Sequence, residues 1–446
     1  MEKLFGTDGL RAVAGQFPLD YASIYVLSHA LVELLKQEKL QSRMIIGRDT
    51  RESGTWIEQA FIQGIREAHG EVVSAGIIPT SAISFLTKKH AFSAGIVISA
   101  SHNPYQDNGI KIFSSEGMKI PEAWEERLER AIHTSNRGVE KARTDFHPSS
   151  DLQGEYIDFL SSRFSHLKLP RRIKVALDCS NGASTQYAPA ILKNLGFEVI
   201  SLGDSPDGKN INARCGSLYP QSLAMIVVEN KADIGIAYDG DADRAIWVDE
   251  GGRILNGDHT LYILSQFMKE RGILKSEYVV ATTMSNLGLE KALERLDLKL
   301  YRAKVGDKYV LEEMLRLQAN LGGEQSGHTI FLDDCPTGDG ILTSIKLLEV
   351  MTERNASLSE LVRGLEEFPQ ILLNVRVSRK DDFHLYPEIM RAVKEIEKDL
   401  SQSGRFNLRY SGTEPLARIM IEGENQKQIE EHAHRLARII EEHLGG

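Results

Sequence analysis

The sequence predicts an α/β protein: three similar α/β domains with mixed sheets, then a smaller C-terminal α+β domain. Apolar strand-length runs alternate with amphipathic helix-length stretches, the pattern of parallel or mixed sheets covered by helices. The alternation recurs in three rounds, and the third strand of each round ends in a polar loop. Beyond Phe368-Pro369 the order changes to strand, helix, strand, strand, helix.

Gly6-Thr-Asp-Gly-Leu-Arg11 is a turn-rich opening whose glycines let backbone and the Arg11 guanidinium approach an oxyanion; an ordinary surface turn explains it equally well. Asp20 is placed to cap a helix bearing Ile24, Leu27, Leu31 and Leu34 on one face. The first round then has strands over 44–49, 71–76 and 94–99, with helices between them, one near 54–69. The second has strands over 173–178, 197–203 and 233–238, with helices near 184–196 and 220–230. The third has strands over 278–283 and 298–303, helices near 286–296 and 307–317, and a glycine-rich end at 321–324. Equivalent strand ends from three similar domains are expected to converge on one cleft.

The polar stretch 133–151 reads as a first linker, with further boundaries near 249–253 and 368–369. The expected domains are therefore 1–150, 151–250, 251–368 and 369–446. In the last, strands are expected over 371–377, 405–410 and 416–422 and a helix over 386–400. The closing helix carries Ile429, Ala433, Leu436 and Ile440 at the spacing of a buried face.

At 446 residues and 41% hydrophobic, the chain is long enough for several cores. A net charge of −10 argues against a general nucleic-acid or anionic-membrane binder, while local arginines and lysines can still hold a small anion. Cys179, Cys215 and Cys335 are widely separated, so reduced thiols in a cytoplasmic setting are expected, without disulfides or a zinc site. No signal-peptide pattern opens the sequence, and no apolar run nears the roughly 20 residues of a membrane helix.

Four loops carry candidate chemistry. Gly95-Ile-Val-Ile-Ser-Ala-Ser-His-Asn-Pro104 opens as a buried strand and stops in small polar residues. Ligands of open α/β sheets bind outside the carboxyl ends of strands, which makes Ser101 the candidate nucleophile that carries a phosphoryl group. Asp239-Gly-Asp-Ala-Asp-Arg244 sets three carboxylates at alternate positions, an oxygen-only set suited to Mg²⁺. A calcium loop begins similarly, but Arg244 stands where that loop needs glycine; it is placed instead to face a phosphate that the metal also contacts. Gly322-Gly-Glu-Gln-Ser-Gly-His328 offers Glu324 and Ser326 to sugar hydroxyls and His328 as an acid or base. Arg409-Tyr-Ser-Gly-Thr-Glu-Pro-Leu-Ala-Arg418 reads as a phosphate cradle: guanidiniums from Arg409 and Arg418, hydroxyls from Ser411 and Thr413, and amides near Gly412. Taken singly, each loop is also readable as an ordinary turn or solvated surface segment. Two phosphate sites with a sugar-like contact set between them favour a phosphoryl relay over simple hydrolysis.

With these loops in this order, the chain resembles the α-D-phosphohexomutase superfamily nearly end to end. Thr283-Met-Ser-Asn-Leu-Gly288, Ala303-Lys-Val-Gly-Asp-Lys-Tyr-Val310 and Gln325 bring it nearest to the branch that acts on glucosamine phosphates. The resemblance implies four domains around a central cleft and a phosphoserine at Ser101. It implies Mg²⁺ held by Asp239, Asp241, Asp243 and an oxygen of that phosphoserine. Glu324 and Ser326 would select the sugar, while Arg409, Ser411, Gly412, Thr413 and Arg418 would bind the substrate's phosphate. Arg11, His102, Lys111 and Arg244 match positions near the transferring group, with Lys111 or His328 as proton shuttle. Ala12 and Tyr410 depart from the family's usual glycine and proline, and neither change removes a charge or hydroxyl.

The implied activity is interconversion of glucosamine 6-phosphate and glucosamine 1-phosphate through a 1,6-bisphosphate intermediate, with a sugar 1,6-bisphosphate as activator. A cytoplasmic monomer or homodimer acting on a small-molecule sugar phosphate is expected. Glucose or mannose phosphates as substrates, a Mg²⁺-dependent sugar phosphatase, and a silent sugar-phosphate sensor are the alternatives.

Overall fold

β-Branched and apolar runs form the strands that the alternation predicts. The computed structural model describes residues 3–134, 146–164, 166, 172–401, 403–411 and 414–445. The first sheet contains β1 (Phe5–Gly6), β2 (Gly9–Val13), β3 (Arg43–Arg48), β4 (Glu71–Ile77), β5 (Ala94–Ile98) and β6 (Asp107–Ser114). The second contains β7 (Lys174–Asp178), β8 (Glu198–Leu202), β9 (Ile234–Tyr238), β10 (Ala245–Asp249) and β11 (Ile254–Leu255). The third contains β12 (Tyr278–Thr282), β13 (Lys299–Ala303), β14 (Leu321–Gly323) and β15 (Thr329–Phe331). A last sheet pairs β16 (Gln370–Arg376) and β17 (Gly404–Tyr410) on either side of β18 (Leu416–Gly423), all antiparallel.

The first three sheets share one plan. Each holds three parallel strands and an antiparallel fourth, in the orders β4-β3-β5-β6, β8-β7-β9-β10 and β13-β12-β14-β15. Because the fourth strand runs back beside the third, the loop between them sits at the carboxyl ends of the parallel strands, where open α/β sheets bind ligands. The chain divides into two compact units, Met1–Met284 with Leu298–Arg363, and Ser285–Asp297 with Gly364–Gly446. The first unit contains the three α/β sheets.

Helices follow their apolar stripes. Asp20 caps the helix Tyr21–Gln37 by accepting the Ser23 amide, and Ile24, Leu27, Leu31 and Leu34 are buried as expected. The stretch expected as one helix near 184–196 is broken into a tight turn over Ala183–Gln186 and a helix over Ala188–Asn194. Pro189 is the reason: it lacks the N–H of a continuous helix and is tolerated in a first turn. The linker expected over 133–151 is also trimmed, since one helix runs through Thr134 and the next starts at Ser150; residues 135–145 lie outside the described residues.

In the second unit the helix Gln426–Leu444 buries Ile429, Ala433, Leu436, Ile440 and Leu444 in a core shared with Val375, Ile419 and Ile421. The helix Leu287–Glu294 belongs to this unit too, and the Glu422 carboxylate accepts the Leu287 amide at 2.8 Å. Among the described residues no helix is long and apolar enough to cross a membrane.

Asp339 caps the helix Gly340–Arg354 by accepting the Leu342 amide, and takes the Tyr156 hydroxyl at 2.9 Å. Burial raises its carboxyl to about 6, although those hydrogen bonds pull the other way. A carboxyl that is easier to protonate when folded stabilises fully below its unfolded pKa of 3.8, and the contribution is lost as pH rises through the folded value. Asp339→Asn keeps the cap and removes the titration. Its stability relative to the parent is expected to gain about 2–3 kcal/mol between pH 4 and pH 7. Urea unfolding of both proteins at stepped pH reads this directly, and a constant difference would contradict the assignment.

Candidate active site

The loop after β5 brings Ser101 into a left-handed conformation (φ 51) and buries it completely. Its Oγ donates to Asp239 Oδ2 at 2.5 Å and lies 3.2 Å from His102 Nδ1. The loop after β9 comes this close because Gly240 has no side chain: a Cβ there would stand 2.6 Å from the Ser101 carbonyl oxygen. The loop after β14 meets that second loop backbone to backbone, through a bridge between Arg244 and His328 and an Ala245 amide that donates to Gly327 O at 3.2 Å. Three equivalent strand ends therefore converge, as expected.

Asp239, Asp241 and Asp243 are buried, and one oxygen from each lies within 4.8 Å of the others. Lys111, on β6, reaches Asp241 Oδ2 at 2.9 Å, Asp243 Oδ2 at 3.0 Å and Asp8 Oδ2 at 3.1 Å. Thr80 Oγ1 donates to Asp241 Oδ2 at 2.5 Å. Burial opposes the Lys111 charge, but the three carboxylates outweigh it and hold the ammonium well above its ordinary range. Burial likewise opposes the Asp243 charge, yet Lys111, His328 and Arg244 carry that carboxyl well below the usual range. Asp239 goes the other way: burial and the Asp243 and Asp241 charges hold its carboxyl well above the usual range, and Arg244 offsets them only in part. The donors are all oxygens, and Asp241 Oδ1 and Asp243 Oδ1 are buried with no hydrogen-bond partner, so the set fits a hard cation.

A cleft of about 720 Å³ opens beside this cluster, lined by Arg11, His102, Arg244, Glu324, Ser326 and His328, among others. Arg11, paired with Asp8, and Arg244, whose Nε lies 3.7 Å from Asp243 Oδ1, both line this cleft and each keep a buried Nε without a hydrogen-bond partner, which suits an oxyanion in the cleft. Burial, with the Arg244 and Arg11 guanidiniums, pushes the His102 ring down to about 4, so it is neutral at pH 7. Glu324 Oε1 accepts the Gly306 amide at 3.1 Å, and Ser326 is exposed. His328 is engaged on both sides: Nε2 accepts the Gly338 amide at 2.9 Å, and Nδ1 stands 3.7 Å from Asp243 Oδ1.

The family described as phosphoglucomutase/phosphomannomutase matches the chain in four successive pieces. Its α/β/α domain I matches residues 2–138, domain II 154–252, domain III 256–368 and the C-terminal domain 372–439. The phosphoglucosamine mutase of Koribacter versatilis is 44% identical over 454 aligned positions, covering 100% of this chain and 98% of the relative. That of Syntrophotalea carbinolica is 46% identical over 449, with the same coverage. The chain belongs to the phosphoglucomutase/phosphomannomutase family, in its phosphoglucosamine mutase branch.

Solved structures of the family share the fold at lower identity. A phosphoglucomutase/phosphomannomutase family protein from Burkholderia thailandensis superposes with a TM-score of 0.80 at 22% identity, covering 99% of this chain and 97% of that one. An Aspergillus fumigatus N-acetylphosphoglucosamine mutase, solved with GlcNAc-6P and magnesium, superposes with a TM-score of 0.63 at 17% identity, covering 98% and 95%.

For this phosphohexomutase the remaining expected residues lie in the second unit. Arg409 and Arg418 stand directly opposite each other on β17 and β18. Arg418 pairs with Glu414 at 2.7 Å through Nη2, while its Nε is buried without a partner. The Ser411 amide is tied to Leu416 O at 2.8 Å, and its hydroxyl accepts the Glu414 amide at 3.3 Å. Tyr410, the departure from the family's usual proline, stacks on Phe383 with ring centroids 4.2 Å apart and donates to Asp381 O. Gly412 and Thr413 lie outside the described residues.

Sequence reasoning missed a second cation. Lys119 Nζ bridges Asp8 Oδ1 at 2.8 Å and Asp307 Oδ1 at 2.6 Å. Both carboxylates sit inside quoted motifs, Gly6–Arg11 and Ala303–Val310, but nothing around Lys119 in the sequence marks it. It also missed Thr80, whose role depends on a helix start meeting a loop far along the chain.

Removing the Lys111 ammonium leaves Asp8, Asp241 and Asp243 without their shared partner. Lys111→Met is expected to destabilise the first unit by about 3–5 kcal/mol, the usual result of stripping one member from a buried ion cluster. Thermal unfolding followed by tryptophan fluorescence checks this; an unchanged midpoint would show that the lysine does not hold the carboxylates.

Proposed function

We propose that the chain interconverts glucosamine 6-phosphate and glucosamine 1-phosphate by a phosphoryl relay through Ser101. The observation that carries this reading is the Ser101 Oγ, 2.5 Å from Asp239 at the edge of a buried three-carboxylate cluster, with the Arg11 and Arg244 guanidiniums on the adjoining cleft wall and their Nε donors without a hydrogen-bond partner. A nucleophile alone would suit a phosphatase. The relay is favoured by the full-length likeness to phosphoglucosamine mutases and by the separate arginine loop at Arg409 and Arg418.

Phosphorylated Ser101 gives its phosphoryl to the sugar's O1: the serine O–P bond breaks, the O1–P bond forms, and the O1 proton ends on the freed Ser101 Oγ. The product is glucosamine 1,6-bisphosphate. After the intermediate turns round, the O6–P bond breaks as the phosphoryl returns to Ser101 Oγ, the serine proton ends on O6, and glucosamine 1-phosphate departs. Arg11 and Arg244 offset charge on the equatorial oxygens during each in-line transfer. Lys111 bridges Asp8, Asp241 and Asp243 and so holds its ammonium beside the transferring group. His102 is neutral and 3.2 Å from the serine oxygen, so it is placed to take the serine proton on the return step. A loose phosphoryl transition state asks little of a base, and a weakly basic imidazole suffices.

Mg²⁺ is the cation we assign to Asp239, Asp241, Asp243 and an oxygen of phosphorylated Ser101, where it would neutralise charge on the transferring group. Glu324 and Ser326 take the sugar hydroxyls. Arg409, Ser411, Gly412, Thr413 and Arg418 take the phosphate that is not being transferred. In this reading residues 1–150 are the phosphoserine domain, 151–250 the metal domain, 251–368 the sugar domain and 369–446 the phosphate domain. A sugar 1,6-bisphosphate primes Ser101, and the enzyme acts in the cytoplasm as a monomer or homodimer.

The purified chain, primed with a sugar 1,6-bisphosphate and Mg²⁺, is expected to show its highest kcat/KM on glucosamine phosphate when compared with glucose and mannose phosphates. A preference for either neutral sugar would reassign the substrate. Steady release of inorganic phosphate without sugar isomer would make the protein a phosphatase, and tight binding without turnover a sensor.

A further inference from the structure

We infer that Arg51 is a positioning residue for Ser101, its buried guanidinium holding the phosphoryl-carrying loop from behind. The inference rests on the reading of Ser101 as the phosphoryl carrier. Arg51 is fully buried, and its side chain is spent on Asp49 and on backbone carbonyls, with none of its hydrogen bonds reaching the carboxylate cluster. Every one of its five side-chain N–H groups is used. Nε donates to Asp49 Oδ2 at 2.8 Å. One terminal nitrogen donates to the carbonyls of Pro104 and of Asp107, the latter at 3.0 Å. The other donates to the carbonyls of Ser101 at 2.9 Å and Asn103 at 2.8 Å. Four carbonyls, three from the Ser101 loop and one from the start of β6, thus converge on one planar cation.

The partner of Arg51 holds the same residue from its other end. Asp49 Oδ2 also accepts the Ser99 hydroxyl at 2.6 Å, and Ser99 Oγ in turn accepts the Ser101 amide at 2.9 Å. Ser101 is therefore fixed at its own N–H and its own C=O by one buried pair. Asn212, from the second α/β domain, adds a further donor to the Ser101 carbonyl at 2.8 Å. Ser101 needs this support because it holds a left-handed conformation that a residue with a side chain seldom adopts. Lysine cannot replace the arginine: three donors on a point charge cannot serve four spread carbonyls and a carboxylate, whereas the rigid guanidinium fork does.

The test is Arg51→Lys and Ser99→Ala in the full chain, with Ser101→Ala alongside. Misplacing a reacting atom by about 1 Å costs roughly 10²-fold in rate. Arg51→Lys is accordingly expected to lower kcat about 100-fold with KM for the sugar phosphate nearly unchanged. The phosphorylated form should also lose more phosphate to water per isomerisation, since a loosened loop no longer presents the phosphoserine to the sugar alone. Ser99→Ala, which removes one hydroxyl, should show the same split to a smaller extent. Circular dichroism reports the folded fraction for each. A kcat that falls only in proportion to that fraction, or a rise in KM at constant kcat, overturns the inference. If Arg51→Lys fails to fold, Ser99→Ala decides by the same criterion. An inactive Ser101→Ala beside a fully active Arg51→Lys sinks this inference alone, whereas an active Ser101→Ala removes the relay itself.

Discussion

Three aspartates held within 4.8 Å of one another and out of water repel each other strongly. At such separations each pair of full charges costs about 4 kcal/mol even with an effective dielectric constant near 20. The fold answers this with two cations and a hydroxyl. Lys111 comes from the antiparallel strand of the first sheet, Arg244 from the end of the aspartate loop itself, and a hydroxyl from the helix start at Thr80. The packing of the second domain's loop against the first is thus an electrostatic requirement before it is a catalytic one. Asp239, the carboxylate these cations serve least, is the one that touches Ser101. The shortfall of positive charge thus falls beside Ser101, the residue we propose as nucleophile, and a cation held there would offset it.

The same arrangement explains why the three sheets share a plan. A parallel trio with an antiparallel fourth strand turns the loop after each third strand into a short hairpin at the carboxyl edge. Short hairpins on stiff strands hold their tips in place, and the three tips bring His102, then Asp243 and Arg244, then Glu324, Ser326 and His328 to the wall of a single cleft. Glycines set how near the tips can come, as Gly240 does against the Ser101 carbonyl.

Much of this was legible in the sequence because it is local. The apolar runs ending in Ser-Ala-Ser-His-Asn-Pro and Asp-Gly-Asp-Ala-Asp-Arg declare a buried strand and the polar loop at its end. The helix Gln426–Leu444 shows its buried face by spacing alone. The element missed with most consequence was β6, which carries Lys111: Asp107-Asn-Gly-Ile-Lys-Ile-Phe-Ser114 opens with turn residues and interrupts its apolar run with a lysine. That lysine is buried only because distant carboxylates meet it, and no window of sequence contains them. Arg51 was hidden for the same reason, since its value lies in carbonyls some fifty residues away. The family resemblance brought Lys111 into view but left Arg51, Lys119 and Thr80 unmarked.

The central claim is that one serine oxygen lends its phosphoryl to the sugar and receives another in return. It is tested most directly by loading Ser101 with ³²P and following a single turnover with unlabelled glucosamine 6-phosphate in rapid-quench flow. The account predicts that label leaves the protein and appears in the bisphosphate and then in glucosamine 1-phosphate, while Ser101 ends phosphorylated but unlabelled. Label that stays on Ser101 while the sugar isomerises, or that passes to inorganic phosphate instead, would contradict it.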